Sequence, residues 1–200
     1  MRMRKLKIME HISLDGVIES GPGYAYGDWG APYRTPEGLE ALLAMHGERF
    51  DLLLGRRTYD LWSGYWPKAP RSPMADRLNA ATKYVVTHRP ESLEWGPVEG
   101  VGAGGSSDHN GADFVQGVRA IKAGDGPDVI LWGSSTVTSA LLEHGLADEM
   151  GLMVNPVLLG TGKRLFAEGT PARAFTLANT KALPSGIVMQ NYKAAGGLKN

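Results

Sequence analysis

Three short runs in this chain are apolar at nearly every position: Leu52-Leu53-Leu54, Tyr84-Val85-Val86 and Val129-Ile130-Leu131-Trp132. A strand wetted on one face alternates apolar and polar residues, so runs like these fit strands covered on both faces. Stretches with helical spacing lie between them. Ahead of the first run, Leu39, Leu42, Leu43 and His46 share one helical face. Thr35-Pro36-Glu37 opens that helix with a capping hydroxyl, a proline at the first helical position and an acid in the first turn, and Gly47 closes it. Phe114, Val118 and Ile121 carry a second helix. Val137, Ala140, Leu141 and His144 carry a third, which ends at Gly145-Leu146 in the manner of a Schellman motif. An opening strand around Leu6, Ile8, Ile12 and Leu14 turns at Asp15-Gly16. Beyond Gly145 the period falls to two, at Met150/Leu152/Val154, Phe175/Leu177 and Val188/Gln190/Tyr192, with Pro184-Ser185-Gly186 as a turn. This pattern predicts one α/β domain over residues 1–200, with a mainly parallel central sheet and antiparallel C-terminal strands.

Three segments stand outside the pattern. Residues 19–36 hold four glycines and three prolines together with Tyr24, Tyr26, Trp29 and Tyr33. That is too aromatic for a linker, so the segment reads as a lid or pocket wall, with Asp28 and Trp29 placed to cover a cofactor ring or a substrate. Residues 67–73 read as a Pro-rich connection. Residues 100–111 read as a flexible loop whose glycines at 100, 102, 104 and 105 imitate a dinucleotide fingerprint without an apolar strand leading in.

Charge and composition narrow the function. Lys+Arg and Asp+Glu number 21 each, so no overall cationic field draws the chain to nucleic acid or to an anionic membrane. There is no cysteine, which removes disulfides, thiolate nucleophiles and Cys-ligated metals. His11, His88 and His109 show no metal-ligand spacing, and no metal is expected. Neither a signal-peptide core nor a run near 20 apolar residues is present, so a soluble cytoplasmic protein is expected.

In open α/β sheets, ligands bind beyond the carboxyl ends of the strands. Three such ends are rich in suitable groups: Gly55-Arg56-Arg57-Thr58, Thr87-His88-Arg89 and Gly133-Ser134-Ser135-Thr136. Helix N-termini offer free N–H groups, glycine permits close approach, hydroxyls donate and arginine binds phosphate bidentately. Two cationic loops and one neutral Gly/Ser loop suit a dinucleotide with an extra phosphate. Asp15, ahead of Gly16, reads either as a turn residue or as an acid near a reacting carbon.

Ser13-Leu14-Asp15-Gly16, Leu54-Gly55-Arg56-Arg57-Thr58-Tyr59, Trp132-Gly133-Ser134, Asp148-Glu149 and Pro156-Val157-Leu158-Leu159-Gly160-Thr161-Gly162 stand in the order seen in the dihydrofolate-reductase-like family. The chain most resembles its branch related to the C-terminal reductase domain of the bifunctional riboflavin-biosynthesis deaminase/reductase. The resemblance implies a three-layer fold, a homodimer and an NADPH-dependent reductase acting on a small imine or carbonyl compound. It implies that Arg56 meets the 2′-phosphate of NADPH, Thr58 the pyrophosphate, and Thr87, His88 and Arg89 the adenosine end. Residues 133–136 would hold the pyrophosphate at a helix N-terminus, and main-chain groups of His11 and Ile18 would face the nicotinamide. The family often has Gly-Gly where this chain has Trp132-Gly133. Leu39 stands where true dihydrofolate reductases carry their pteridine-binding carboxylate, between Glu37 and Glu40. That departure argues for a ribosylaminopyrimidine or another imine over folate. It also raises the alternative of a catalytically silent nucleotide-binding or regulatory homo-oligomer.

Overall fold

The computed structural model describes residues 2–102 and 111–198. Eight strands form one sheet: β1 (Leu6–Ile12), β2 (Asp51–Gly55), β3 (Lys83–Thr87), β4 (Val98–Gly102), β5 (Val129–Trp132), β6 (Glu149–Val154), β7 (Arg173–Ala182) and β8 (Val188–Gly197). Their order across the sheet is β4-β3-β2-β5-β1-β6-β8-β7. Strands β1 to β6 run parallel; β8 pairs antiparallel with β6, and β7 antiparallel with β8. The expected fold class is therefore the observed one.

Among the described residues five α-helices cover the sheet: α1 (Pro36–His46), α2 (Arg56–Tyr65), α3 (Pro73–Ala80), α4 (Ala112–Ala123) and α5 (Ser135–Glu143). Phe114 and Val118 of α4 and Val137, Ala140 and Leu141 of α5 pack on one face, against Ile8, Leu53 and Leu131. Tyr59 of α2 and Met74 and Leu78 of α3 pack on the other, against Met9, Leu52, Leu54 and Val85, with Leu42 and Leu43 of α1 alongside. Alternate residues of the apolar runs feed opposite layers, so no position in them is free to be polar. The caps follow the sequence. Thr35 Oγ1 accepts from Gly38 N at 3.1 Å. Leu146 N donates to Leu141 O at 2.9 Å over Gly145 at φ 61°.

The structure corrects three readings. The 67–73 connection ends in a helix start, with Pro73 at the first position of α3 and Ser72 Oγ accepting from Ala75 N at 3.1 Å. Part of the 100–111 loop belongs to β4; a Cβ on Gly100 would lie 2.6 Å from Pro90 Cβ, so glycine there answers close packing rather than flexibility. Gly104, Gly105 and His109 lie outside the described residues. The period-two segment at 150–154 is β6, parallel to β1 and buried at its four middle positions. Gly151, between Met150 and Leu152 of that alternation, is another close approach, since a Cβ there would lie 2.8 Å from Met45 Cε.

One consequence of the strand order positions the site. Strand β1 pairs with β5 as far as Met9 opposite Trp132, but with β6 as far as Ile12 opposite Val154. Past Met9, β1 has no partner on its β5 side, and a slot opens between the two central strands.

Candidate functional site

An open cleft of about 340 Å³ lies over that slot, lined by the ends of β1, β2 and β5 and the first turns of α2 and α5. Gly55, Arg56, Arg57, Thr58, Gly133, Ser134 and Thr136 all line it, so two of the three strand ends singled out in the sequence meet in one place. The β3 end adjoins through Arg56, whose Nη1 donates to Ser92 Oγ at 2.6 Å and to Arg89 O at 3.3 Å.

Close backbone approach builds the cleft floor. Gly133 has φ +66°, and a Cβ on it would lie 2.5 Å from Thr58 Oγ1. Ser134 follows at φ 58°, the one non-glycine residue with positive φ among those described, and its hydroxyl accepts from Val137 N at 3.4 Å as the cap of α5. A β2 Cβ at Gly55 would in turn meet Ser134 Oγ at 2.5 Å. These two turns hold the N-terminus of α5 open to the cleft, where its unpaired N–H groups favour an anion. Backbone strain of this kind collects at ligand-binding turns. Ser135 is buried, so it contributes main chain and not a hydroxyl, whereas Thr136 is exposed at the rim.

The cations divide by role. Arg56 is held by Asp60 at 2.8 Å as well as by the β3 loop, which makes it a brace between α2 and residues 87–92. Thr87 is buried, and its Oγ1 accepts from Arg89 N at 3.1 Å. Arg57 is exposed on the cleft wall, and His88 and Arg89 are exposed on the loop after β3, outside the lining.

The β1 side departs most from expectation. Asp15 is an anchor: its carboxylate accepts from Ser13 Oγ at 2.7 Å, Leu159 N at 3.2 Å and Gly160 N at 2.9 Å, with Arg164 at 3.4 Å. The Ser13 hydroxyl above all, then these N–H groups, holds it well below the usual carboxylate range, so it is no proton donor near neutral pH. Trp29 does not line the cleft. It is buried against Val17 and Leu159, with Nε1 donating to Glu19 O at 2.7 Å. Asp28 is taken by Arg34 in a bidentate pair at 2.6 and 2.7 Å. Ile18 lines the cleft, but its N–H is used by Lys163 O at 2.8 Å. His11 lies under the slot, stacked 6.1 Å from Trp132, and burial pushes its pKa down to about 4. His46 sits on the far side of Trp132, 5.5 Å away; burial takes it to about 3, and neither ring nitrogen has a partner among the described residues. Leu39 and Glu40 are exposed on α1, and no α1 residue lines the cleft.

Glu10 is the residue that the sequence reading missed. It stands on β1 at the cleft floor, reached from the cleft and enclosed by protein on its other sides. Its Oε1 accepts from His11 N at 3.0 Å, and loss of water pushes its pKa up to about 8 against the pull of the His11 and Gly133 N–H groups. The available signal was the single acid of a strand whose other polar residues are Lys7 and His11. Among the described residues, no group of three or more His, Asp or Glu is placed to hold a metal, and no helix is long and apolar enough to cross a membrane.

The cleft stands in a known frame. A family model described as the RibD C-terminal domain matches residues 4–189. The chain belongs to the RibD C-terminal domain family. An uncharacterized protein of Bacillus subtilis, YyaP, is 26% identical over 202 residues, covering 96% of each chain. A pyrimidine reductase-like protein of Corynebacterium diphtheriae has the same fold, with TM-score 0.61 and 12% identity over 98% of this chain and 93% of that one. So does a diaminohydroxyphosphoribosylaminopyrimidine deaminase/5-amino-6-(5-phosphoribosylamino)uracil reductase of Thermotoga maritima, with TM-score 0.61 and 15% identity over 96% of this chain and 57% of that one.

Proposed function

We propose that the protein is an NADPH-dependent reductase that delivers a hydride to a small imine or carbonyl compound, with an aminopyrimidine as the substrate class. The observation that carries this reading is the row of loops at the strand ends. In sheet order β3, β2, β5 and β1 they offer exposed cations, a cation with a hydroxyl, an open helix N-terminus and an uncharged slot. Three strand spacings of about 4.8 Å make that row roughly 14 Å long, the scale of a dinucleotide laid across the sheet. The residues fit the group: the Gly133–Thr58 approach leaves the α5 N–H groups clear for a pyrophosphate, and Arg57 and Arg89 reach the end where a 2′-phosphate would lie. Bound NADPH would supply the hydride. The chain's own residues orient it, and Trp132, Trp62 and Ile18 keep water from the slot. The names of the pyrimidine reductase-like and uracil reductase relatives support the substrate class. A soluble cytoplasmic enzyme is the setting this implies.

NADPH is expected to bind roughly 10- to 100-fold more tightly than NADH, because a charge-assisted phosphate contact contributes about 1.5 to 3 kcal/mol. Arg57→Ala/Arg89→Ala should erase most of that preference, whereas Arg56→Ala should also loosen the 87–92 loop. Fluorescence titration with both dinucleotides checks this; equal wild-type affinities refute it. NADPH oxidation with 5-amino-6-(5-phosphoribosylamino)uracil and with dihydrofolate tests turnover. Tight binding with oxidation of neither would favour a silent nucleotide-binding protein.

We also propose a homodimer. Strand β7 is the outer strand of the sheet, with Leu177 51% exposed, and Leu158 on the loop after β6 is 74% exposed. An uncovered apolar edge invites pairing, and two-fold closure is the usual outcome. Light scattering at micromolar concentration should give twice the chain mass; a monomer mass removes the idea.

A further inference from the structure

Resting on the reductase reading, the geometry points to Glu10 as the proton donor of the cleft and, once it has given its proton, as the counter-ion of an oxidised nicotinamide. Reduction of an imine or carbonyl needs a proton as well as a hydride, and Asp15 is committed elsewhere. The alternation of β1 puts Glu10 on the same face as Leu6, Ile8 and Ile12, beside Gly133 and the start of α5. With phosphates at that helix start and the adenosine end toward β3, the other end of a dinucleotide falls over β1, where Glu10 faces the slot.

The groups around Glu10 leave its charge uncompensated. On its own strand the neighbour is His11, which burial keeps neutral. From β5, β6 and the start of α5 come Trp132, Gly133, Leu152 and Ser134, none of them charged. From the loop after β1 comes Glu19, whose carboxylate accepts from Lys163 N at 3.0 Å. Lys163, Arg56 and Arg57 also line the cleft, and among the described residues no ion pair joins any of them to Glu10. A carboxyl without a cation in such a place keeps its proton at neutral pH, and its pKa of about 8 agrees.

The balance closes with a reduced nicotinamide as the reductant. A C–H bond of the dihydronicotinamide and the O–H bond of Glu10 break. A C–H bond forms at the substrate carbon and an N–H or O–H bond at its heteroatom, as the double bond is reduced to a single one. The nicotinamide ends as a cation and Glu10 as a carboxylate, which later takes a proton from water.

This reading requires NADP+, but not NADPH, to displace the proton of Glu10. Isothermal calorimetry at pH 7 in two buffers of different ionisation enthalpy measures that displacement with no substrate present. A cation within reach lowers a carboxyl pKa by about 1 to 3 units, so NADP+ should release roughly 0.4 to 0.9 proton per site more than NADPH does. The 2′-phosphate titrates in both forms and cancels. The NADP+/NADPH affinity ratio should rise roughly tenfold or more from pH 6 to pH 9. Glu10→Gln, which keeps the side-chain shape, should abolish both effects while NADPH still binds. The wild-type pH series needs no variant, so it decides the matter even if Glu10→Gln folds poorly. Equal proton release by the two forms, or a difference that persists in Glu10→Gln, overturns the proposal and leaves the reductase reading standing. If neither form binds, the reductase reading fails and takes this one with it.

Discussion

Gly133→Ala is expected to lower stability by roughly 2 to 5 kcal/mol and to weaken dinucleotide binding at least 100-fold. A left-handed conformation costs a side-chain-bearing residue about 1 to 2 kcal/mol, and overpacking typically adds 1 to 3. Here both apply, because φ is +66° and the new methyl would lie 2.5 Å from Thr58 Oγ1 and 3.3 Å from its Cγ2. Relief would come from parting the first turns of α2 and α5, the two elements that frame the anion site. Thr58→Ala in the same background removes both colliding atoms and leaves Thr58 Cβ at 3.5 Å. It should recover the packing part and leave the backbone part, so the two changes are coupled rather than additive. Urea unfolding and NADPH titration of the four proteins measure this. Gly133→Ala with a wild-type urea midpoint would show that the turns do not meet as described.

The second large effect is on stability against pH. Burial lowers His46 to about 3 and His11 to about 4, from an ordinary value of 6.5. Their contribution is complete above pH 6.5 and is lost as pH falls toward those values. Glu10 has the opposite sign. Its pKa of about 8 lies above the ordinary 4.5, so its contribution is complete below pH 4.5 and is lost as pH rises through 8. With two groups on the acid limb and one on the alkaline limb, these three place maximum stability near pH 6.5. At about 1.4 kcal/mol per unit, His46 alone removes roughly 3 kcal/mol between pH 6.5 and pH 4. His46→Phe keeps an aromatic ring between Phe50 and Trp132 and deletes two unpartnered nitrogens. It should stabilise the protein at every pH and flatten the acid limb by about that amount. Urea midpoints at pH 4, 5.5, 6.5 and 8 test it; parallel curves for variant and wild type would contradict it.

The sequence was most legible where several local signals agreed. The apolar run at 52–54 and the Thr35-Pro36 start have one physical reading each, and both stand where expected. Glycine was harder, because a sequence does not say whether the missing side chain serves freedom or closeness. Gly100 reads as part of a loop and Gly151 as an unremarked step in an alternation, yet each makes room for a neighbour that no local pattern announces. Trp29 was misread for a related reason: an aromatic in a Gly-rich segment looks the same whether it walls a pocket or anchors the segment to a small core with Val17 and Leu159. Asp15 read as a candidate acid and Glu10 went unnoticed because their surroundings arrive from distant chain. The N–H groups that bind Asp15 come from Leu159 and Gly160, and the enclosure of Glu10 comes from β5, β6 and α5.

The tether at Asp15 bears on how the molecule is made. Its bonds to Leu159 and Arg164 join residues 144 and 149 positions apart, and Ile18 N reaches Lys163 O over a similar distance. Strand β1 itself lies between β5 and β6, whose residues begin at Val129 and Glu149. Strand β1, which precedes the other seven along the chain, is thus among the last to be enclosed, and loop closure over so long a span is slow. A nascent chain short of residue 149 would have the phosphate-facing turns at Gly55 and Gly133 but no β6 beside Glu10. Until then β1 presents bare strand edges, a liability for aggregation during synthesis that a chaperone holding the N-terminal segment would remove.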